Sequence, residues 1–185
     1  MAETVLGFVG SPRKGGNTET LLDEALRGAR DEGAKTEKIR LSELSIKPCL
    51  GCFECLERGQ CIQEDDFAVL REKMLESSRW ILGTPVYFFA PSGQLKTFID
   101  RWISIPRDLT EGKKVHGVVV LEDTTTETAR TTVEMLDQTV RERRMTFSGA
   151  VVAPHLLNVG DAQKHTEYLE AAYNAGRDVV TSLPG

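Results

Sequence analysis

Three short runs of apolar residues, unbroken by polar side chains, constrain the fold of this chain more than any other feature of its sequence. They are Val5-Leu6-Gly7-Phe8-Val9, Trp80-Ile81-Leu82-Gly83 and Val118-Val119-Val120-Leu121. A strand with one solvated face alternates apolar with polar residues, so an unbroken run predicts a strand that is covered on both faces. Such strands are typical of parallel sheets that carry helices on both sides.

Amphipathic helical segments separate these strands along the chain. Two further strands, at about 35–41 and 147–152, complete an alternation of five strands with five helices. This alternation predicts an α/β fold with a five-stranded parallel sheet in the order 2-1-3-4-5, in which the polar second strand lies at an edge. We expect Asn17, either Asp65 or Asp66, and Ser92 to cap helices.

The predicted strand order also indicates where a ligand binds. Open parallel sheets bind ligands beyond the carboxyl ends of their strands, at the point where the strand order reverses. In the order 2-1-3-4-5 this point lies between strands 1 and 3. We therefore expect the segments that follow Val9 and Leu82 to carry the function.

Length, charge and hydropathy exclude several classes of protein. The 185 residues suit a single domain over 1–185, which is large enough to fold without a disulfide or a metal. A net charge of −5 argues against nucleic acid as a partner, because phosphate binding needs a basic surface. No apolar run approaches the ~20 residues of a membrane span, and the first residues lack a leader pattern. We expect no membrane partner and a cytoplasmic location.

The segment after the first strand has the composition of a phosphate-binding loop, Gly10-Ser11-Pro12-Arg13-Lys14-Gly15-Gly16-Asn17-Thr18. Its backbone N–H groups and the start of the following helix are suited to an anion. Hydroxyl, amide and guanidinium donors are supplied by Ser11, Thr18, Asn17 and Arg13. The segment lacks the lysine of a P-loop and the Gly-x-Gly-x-x-Gly pattern of dinucleotide-binding folds. It predicts a site for a single phosphate, and an ordinary Gly-Pro turn is the alternative.

The segment after the third strand is aromatic, Thr84-Pro85-Val86-Tyr87-Phe88-Phe89-Ala90-Pro91. Three consecutive aromatic residues in an irregular loop cannot all point into one core, and the prolines stiffen the loop. The side chains that do not point into the core are candidates for contact with a flat ligand. For Phe88 and Phe89 the alternative to ligand contact is burial against a helix or a neighbouring subunit, and for Phe89 we favour this alternative. In the following helix, Lys96 and Arg101 are expected on the exposed face, with Asp100 pairing with Arg101.

All four cysteines lie between positions 49 and 61 in the spacing C-x2-C-x2-C-x5-C. Three thiolates at this short spacing can bind three corners of an iron–sulfur cube, and the longer arm lets Cys61 return to the same cluster. Zinc sites more often have two closely spaced pairs of ligands that are separated by a longer stretch of chain. Redox-active or simply reduced thiols, a Cys52–Cys55 disulfide and a zinc site remain as alternatives.

Two weaker signals follow the later strands. The segment Glu122-Asp123-Thr124-Thr125-Thr126 lies at the ligand edge after the fourth strand, and we interpret it as a helix cap. His155 follows the fifth strand, but the three histidines form no metal-binding spacing.

Two loops and the cysteine spacing resemble known families. Gly10-Ser11-Pro12-Arg13 with Gly16-Asn17-Thr18 resembles the FMN-phosphate loop of the flavodoxin-like NAD(P)H-dependent FMN reductases. The second flavin-contacting loop and helix of those families resemble Thr84-Pro85-Val86-Tyr87, Ser92, Gln94-Leu95-Lys96 and Ile99-Asp100-Arg101. The cysteine loop, at about 47–63, is similar to that of the iron–sulfur flavoproteins. The resemblance covers approximately the first 100 residues.

The resemblance implies a flavodoxin-like three-layer sandwich with two cofactors. FMN would contact Ser11, Arg13, Asn17, Thr18, Thr84, Pro85, Val86, Tyr87 and Phe88. A [4Fe-4S] cluster would be bound by Cys49, Cys52, Cys55 and Cys61. No catalytic acid or base from the protein is expected, since the cofactors carry the redox chemistry.

The resemblance also implies partners. Ferredoxin or NAD(P)H would donate electrons, and a quinone, an oxygen species or another redox protein would accept them. The protein would pass electrons between cluster and FMN as a homodimer or homotetramer. A cluster-free NAD(P)H-dependent FMN or quinone reductase is one alternative, and a zinc-stapled binding module without catalytic activity is another.

Overall fold

A parallel β-sheet lies at the centre of the fold in the computed structural model, which describes residues 3–181. Its strands are β1 (Thr4–Val9), β2 (Lys35–Arg40), β3 (Arg79–Tyr87), β4 (Ala90–Pro91), β5 (Lys114–Val120) and β6 (Thr146–Ala153). The parallel strands follow the order β2-β1-β3-β5-β6, and β4 pairs antiparallel with β3. The order of the five long strands is the one that the alternation predicts.

Helices cover both faces of this sheet. They are α1 (Asn17–Asp31), α2 (Glu54–Arg58), α3 (Phe67–Glu76), α4 (Gly93–Asp100), α5 (Arg130–Glu142) and α6 (Thr166–Thr181). On one face Leu22 of α1 and Val179 of α6 belong to one buried cluster, and on the other Phe98 of α4 and Leu136 of α5 belong to another. The predicted three-layer α/β class is therefore confirmed. No helix within residues 3–181 has the length and apolar composition needed to cross a membrane.

The sheet has one strand more than predicted. β4 is a two-residue strand in which Ala90 pairs with Tyr87 and Pro91 with Val86. It arises because β3 continues beyond the apolar run to Tyr87 and the chain then turns back on itself. The described part of the chain also has a short helix more than predicted, α2, within the cysteine loop.

Two of the three predicted helix caps are present. The Ser92 hydroxyl accepts a hydrogen bond from the Leu95 N–H at 3.2 Å, and the Asp65 carboxylate accepts one from the Phe67 N–H at 3.1 Å. The prediction for Asn17 is wrong, because it is the first residue of α1 and its amide binds another loop.

Aromatic rings packed in tilted and edge-to-face pairs fix α4 on the sheet. The ring centroids of Phe8 and Phe98 are 4.9 Å apart, and those of Phe98 and Trp102 are 5.5 Å apart. Trp80 of β3 completes the group, 5.4 Å from Trp102. Aromatic pairs at these separations add to the stability gained from burial alone. The end of α4 is thus held rigidly beside the cysteine loop.

Two glycines allow α1 and α6 to cross at very short range. A Cβ atom at Gly176 would lie 1.8 Å from the Ala25 carbonyl oxygen, and one at Gly28 would lie 2.0 Å from the Tyr173 carbonyl oxygen. Both neighbours are backbone atoms, so neither can move aside without shifting a whole helix. The crossing therefore requires glycine at both positions.

We predict that Gly176→Ala destabilises the protein by about 1–3 kcal/mol, because overpacking displaces backbone. The measurement is the free energy of unfolding in urea. Gly93→Ala is the matched control, since a Cβ atom there meets nothing within 4 Å. Equal stability of the two variants would contradict the close crossing.

Candidate functional site

The carboxyl ends of β1, β3 and β5 surround a cavity of about 530 Å³. This volume lies within the range of about 300–1,000 Å³ that is usual for small-molecule and cofactor sites. The β1–α1 loop contributes Ser11, Arg13, Asn17 and Thr18, and the end of β3 with its turn contributes Pro85, Val86, Tyr87, Phe88 and Phe89. The cavity thus lies at the reversal point of the strand order, where a ligand is expected.

The start of α1 forms the polar end of this cavity. Ser11 and Thr18 are almost fully buried, and the Ser11 hydroxyl accepts a hydrogen bond from the Arg13 N–H at 3.2 Å. Within residues 3–181 the Thr18 hydroxyl makes no hydrogen bond. The first N–H groups of a helix lack partners inside the helix and carry a partial positive charge. This end of the cavity is therefore suited to an oxyanion.

Glu19 holds the loop before α1 in place. Its carboxylate accepts a 2.7 Å hydrogen bond from the Gly15 N–H and forms ion pairs with Lys38, at 2.9 Å, and Arg40. Burial alone raises the pKa of Glu19, but hydrogen bonds from Lys38, Gly15 and Arg40 outweigh it and lower the pKa to about 2. An ionised carboxylate therefore joins the loop to β2.

Two of the predicted phosphate ligands also hold another loop. The Arg13 guanidinium donates to the Leu157 carbonyl oxygen at 2.8 Å, and the Asn17 amide donates to the Asn158 carbonyl oxygen at 2.8 Å. The Asn17 carbonyl oxygen also accepts from the Ala162 N–H at 3.1 Å. Both side chains line the cavity, and they fix the segment after β6 as part of its wall.

The turn between β3 and β4 is strained and exposed. Phe88 and Phe89 both have positive φ, at 48° and 65°, in a two-residue turn where Asn-Gly is the usual pair. Their side chains are 98% and 61% exposed, so the predicted burial against a helix of the same chain does not occur. Left-handed backbone at bulky residues costs on the order of 1–3 kcal/mol each and is found mainly at functional sites.

Thr84 lies outside the cavity lining. Its hydroxyl accepts a hydrogen bond from the Ser92 N–H at 3.0 Å and donates one to the Pro85 carbonyl oxygen at 2.9 Å. The Ser92 hydroxyl donates to the Gly10 carbonyl oxygen at 2.6 Å. These bonds connect the end of β3 and the start of α4 to the segment after β1, so the two halves of the cavity are held at a fixed distance.

Sequence reasoning placed Glu122 and Asp123 at the ligand edge but did not assign them or the rest of the cavity wall to the site. The remaining lining residues are Val120, Leu121, Glu122, Asp123, Thr128, Leu156 and Leu157. They follow β5 and β6 at the same sheet edge, which is the signal that identifies them once the strand order is known. His155 is exposed and is absent from the lining, while its N–H donates to the Asp123 carbonyl oxygen at 3.0 Å.

The segment after β5 is a helix cap that also borders the cavity. The Thr125 hydroxyl accepts a hydrogen bond from the Glu127 N–H at 3.2 Å, as the cap interpretation requires. Asp123 accepts hydrogen bonds from the Thr124 N–H and the Thr128 hydroxyl, each at 2.6 Å. The Thr128 bond is the main reason why the pKa of Asp123 lies below its ordinary value. Asp123 is therefore an ionised carboxylate without a proton to donate at neutral pH.

The four cysteines line a second, smaller pocket next to Arg101 and Ile103. All four are free thiols, and burial together with the nearby Cys61 raises the pKa of Cys55. The Cys49 sulfur accepts the Gly51 N–H at 3.5 Å and the Cys61 sulfur accepts Nη2 of Arg101 at 3.2 Å. Within the described residues, no three His, Cys, Asp or Glu side chains form a group that could hold a metal ion.

The donor set nevertheless has the chemistry of an iron–sulfur site. Four thiols surround one pocket, and hydrogen bonds to sulfur of the kind seen here are among the features that set cluster potentials.

The expectation that Arg101 lies on an exposed helix face is wrong. Arg101 is 1% exposed and pairs with Asp65 at 2.6 Å, whereas Asp100 pairs with Lys96 at 2.6 Å. The reason is that α4 ends at Asp100 and a 3₁₀ turn over Arg101–Ser104 directs the guanidinium inward. Helical periodicity carries no signal for such a change of direction.

The chain matches the model of one protein family over most of its length. The matching model is that of the NADPH-dependent FMN reductases, and it covers residues 4–164. Among curated relatives, an iron–sulfur flavoprotein of Archaeoglobus fulgidus is 40% identical over 116 residues, which are 63% of this chain and 53% of the relative. Iron–sulfur flavoprotein MJ1083 of Methanocaldococcus jannaschii is 39% identical over 132 residues, which are 71% of this chain and 68% of the relative.

A third relative is the putative NAD(P)H-dependent FMN-containing oxidoreductase YwqN of Bacillus subtilis. It is 35% identical over 99 residues, 54% of this chain and 51% of the relative. The aligned part of the chain thus spans about half the length of the A. fulgidus and B. subtilis proteins.

Solved structures share the fold. An NAD(P)H:quinone oxidoreductase from Methanothermobacter marburgensis superposes with a TM-score of 0.78 at 17% identity, covering 99% of this chain and 98% of that one. A flavodoxin from the domain Archaea gives a TM-score of 0.61 at 11% identity, covering 96% and 95%. These likenesses confirm a flavodoxin-like architecture.

We predict that Glu19→Gln destabilises the protein at pH 7 by up to ~3 kcal/mol, the value of a pKa lowered from 4.5 to about 2. A lowered pKa favours the ionised form in the folded state. The stabilisation is therefore complete above pH 4.5 and is lost as the pH falls towards 2. Urea unfolding at several pH values should show the difference from wild type shrinking on acidification.

The matched control is Glu24→Gln on the same helix, where Glu24 forms a partly exposed pair with Arg27. Surface pairs contribute about 0–1 kcal/mol. A Glu19 variant that behaves like the Glu24 variant at every pH would show that Glu19 does not anchor the loop.

Proposed function

The chain belongs to the NADPH-dependent FMN reductase family, and from this membership we propose that it is a flavin-dependent oxidoreductase with FMN in the cavity at the ends of β1, β3 and β5. The observation that carries the proposal is the division of this cavity into two chemically different parts. One part has the hydroxyl groups of Ser11 and Thr18 and the start of α1, and the other is lined by Val86, Tyr87 and further apolar side chains. A phosphate joined to a flat, amphipathic ring system requires such a division.

Charge orients the ligand in this site. The start of α1 and the Arg13 guanidinium lie beside β1, while Glu122 and Asp123 follow β5, two strand positions away. Strands are spaced at about 4.8 Å, so the two regions lie roughly 10 Å apart. A phosphate is attracted to the first region and repelled by the second. The ring system is then directed towards Tyr87.

FMN, when bound, supplies transfer of one or two electrons. The chain's own residues would bind FMN and shield it from solvent. Tyr87 and Phe88 border the opening of the cavity, and Leu121 with Leu156 supplies apolar walls. Asp123, whose pKa is lowered, carries no proton to donate at neutral pH.

We further propose that the four cysteines bind a [4Fe-4S] cluster, which exchanges single electrons with FMN. The cysteine spacing, the shared pocket and the relatives named iron–sulfur flavoproteins support this proposal. A cluster transfers one electron at a time, so it lets single-electron and two-electron reactions be coupled. Ferredoxin or NAD(P)H would be the donor, and a quinone, an oxygen species or another redox protein the acceptor. A reducing compartment such as the cytoplasm keeps these thiols free.

A second candidate function is a cluster-free NAD(P)H-dependent FMN or quinone reductase. It is supported by the Bacillus subtilis relative, which is named a putative NAD(P)H-dependent FMN-containing oxidoreductase. A zinc-stapled module without flavin is the third possibility, and metal and flavin analysis separates all three.

Assembly into a homodimer or homotetramer is also part of the proposal. The strained turn exposes two phenylalanine side chains, and the cysteine loop exposes Leu50, Phe53 and Leu56. Grouped exposed apolar side chains mark surfaces that are covered by a partner. A second copy seated on Phe88 and Phe89 would bury both rings and border the cavity.

The decisive composition test is anaerobic purification followed by flavin, iron, sulfide and zinc analysis. We expect one FMN and about four irons per chain, as the four-cysteine cluster requires. FMN without iron would support the cluster-free reductase, and zinc without flavin would overturn the redox function. Cys52→Ser should remove the iron absorbance and leave FMN in place.

We predict that Thr18→Ala weakens FMN binding about tenfold, because a hydrogen bond to a charged group contributes about 1.5–3 kcal/mol. The dissociation constant is measured from flavin fluorescence. Thr20→Ala is the matched control on the same helix, since Thr20 contacts Gln163 and is absent from the cavity lining. Unchanged affinity in Thr18→Ala would place the phosphate elsewhere.

We predict that replacing Phe88-Phe89 by Asn-Gly releases monomers, because this pair suits the turn and removes the apolar rings. Sedimentation gives the molecular mass in solution. The control is Val69→Asn, which removes an exposed apolar side chain from α3. A monomeric wild-type protein, or a double variant with wild-type mass, would contradict the proposed interface.

A further inference from the structure

Arg101 makes the closest hydrogen bond between a charged group and any sulfur in the described part of the chain. Its Nη2 lies 3.2 Å from the Cys61 sulfur. The other cysteine sulfurs contact only neutral backbone in the described part of the chain, the Gly51 N–H at Cys49 and the Ile103 carbonyl oxygen at Cys55. The four cysteines are therefore not equivalent, and Cys61 differs from the other three.

The same guanidinium holds both ends of the cysteine loop. Nη1 donates to the Lys47 carbonyl oxygen at 2.9 Å and to Asp65 at 2.6 Å, just before and just after the cysteines. Asp65 in turn accepts the Lys47 N–H at 2.9 Å and the Phe67 N–H at 3.1 Å. The guanidinium also lies over the Phe67 ring, 4.8 Å from its centroid. Arg101 is thus fixed on several sides by the protein itself.

The burial of this pair argues for a specific role. Arg101 and Asp65 side chains are 1% and 2% exposed, and burying two charges contributes little net stability even when they are well paired. An arginine needed only to close a loop would be satisfied by Asp65 and the Lys47 carbonyl. In addition to these contacts, Nη2 of Arg101 donates a hydrogen bond to the Cys61 sulfur. The planar guanidinium can make these bonds together, and lysine lacks this geometry.

We propose that Arg101 is a positioning residue for Cys61, which holds this sulfur as the fourth cluster ligand and raises the reduction potential of the bound cluster. The inference rests on the proposed function, since it concerns the cluster. One-electron reduction adds a negative charge to the cluster and its thiolates. A hydrogen-bond donor on a cationic group stabilises the more negative state, so it favours reduction.

The test is a spectroelectrochemical titration of the purified, cluster-loaded protein, with dithionite as the one-electron reductant and mediators present. The variants are Arg101→Lys and the double variant Arg101→Gln with Asp65→Asn, which keeps the buried pair neutral. Bound FMN, titrated in the same sample, is the internal reference. Arg71→Met is the matched control, because Arg71 contacts the same loop at the Gly59 carbonyl oxygen, 3.2 Å away, without touching a sulfur.

We expect the ratio of reduced to oxidised cluster, at a fixed applied potential, to fall about tenfold in the double variant, as the loss of one charged hydrogen bond implies. The ratio in Arg101→Lys should lie between those of the double variant and the wild type. The FMN potential should stay unchanged in every variant, and the cluster ratio should stay unchanged in Arg71→Met. Loss of iron from the Arg101 variants alone, with FMN still bound, would equally support the positioning role.

A fully loaded double variant with the wild-type cluster potential would overturn the inference and leave the proposed function intact. A shift of the same size in Arg71→Met would also overturn it, because the effect would then come from general loosening of the loop. A wild-type protein that contains FMN but no iron would instead refute the cluster proposal itself.

Discussion

The parallel pairing of β1 with β2 on one side and β3 on the other determines where everything else lies. Val9 is in register with Arg40 of β2 and with Gly83 of β3. The chain therefore leaves all three strands at one sheet edge, into the glycine-rich loop, the segment leading to the cysteines and the aromatic turn. Parallel pairing brings together residues that are 31 to 74 positions apart in the chain, as Val9, Arg40 and Gly83 show.

Hydrogen bonds between these loops convert the shared edge into a cavity of fixed shape. Ser92 and Thr84 join the segments after β1 and β3, while Arg13 and Asn17 hold the segment after β6. Side chains that look like ligand contacts in the sequence thus have a second role as braces. A ligand that binds to preorganised polar groups loses less free energy to the ordering of side chains than one that must order them itself.

Buried charges serve the two sites in the same way. Glu19 anchors the loop at the cavity through Lys38 and Arg40, and Asp65 with Arg101 anchors the cysteine loop. In each case burial works against the charged form, and the hydrogen bonds outweigh it, so the pKa of each carboxyl lies below its ordinary value. Such pairs contribute more to the definition of a conformation than to net stability.

The sequence by itself determined the class of fold, the order of the long strands and half of the cavity lining. Apolar runs and helical periodicity are local properties that can be read from neighbouring residues. Once the strand order is known, it identifies the segments after Val9 and Leu82 as the place where a ligand binds. Ser11, Thr18 and Tyr87 could be identified in this way, because each lies within nine residues of one of these two strand positions and lines the cavity. The cysteine spacing likewise indicated a common pocket.

Only the tertiary structure decided which polar side chains face a ligand and which face the protein. Thr84 lies under the loop, Asn17 braces a segment more than 140 residues away, and the Arg101 side chain turns inward after α4 ends. It also decided that Phe88 and Phe89 are exposed in a strained turn. Each outcome depends on partners distant in the chain, and no local pattern of residues encodes the position of a partner.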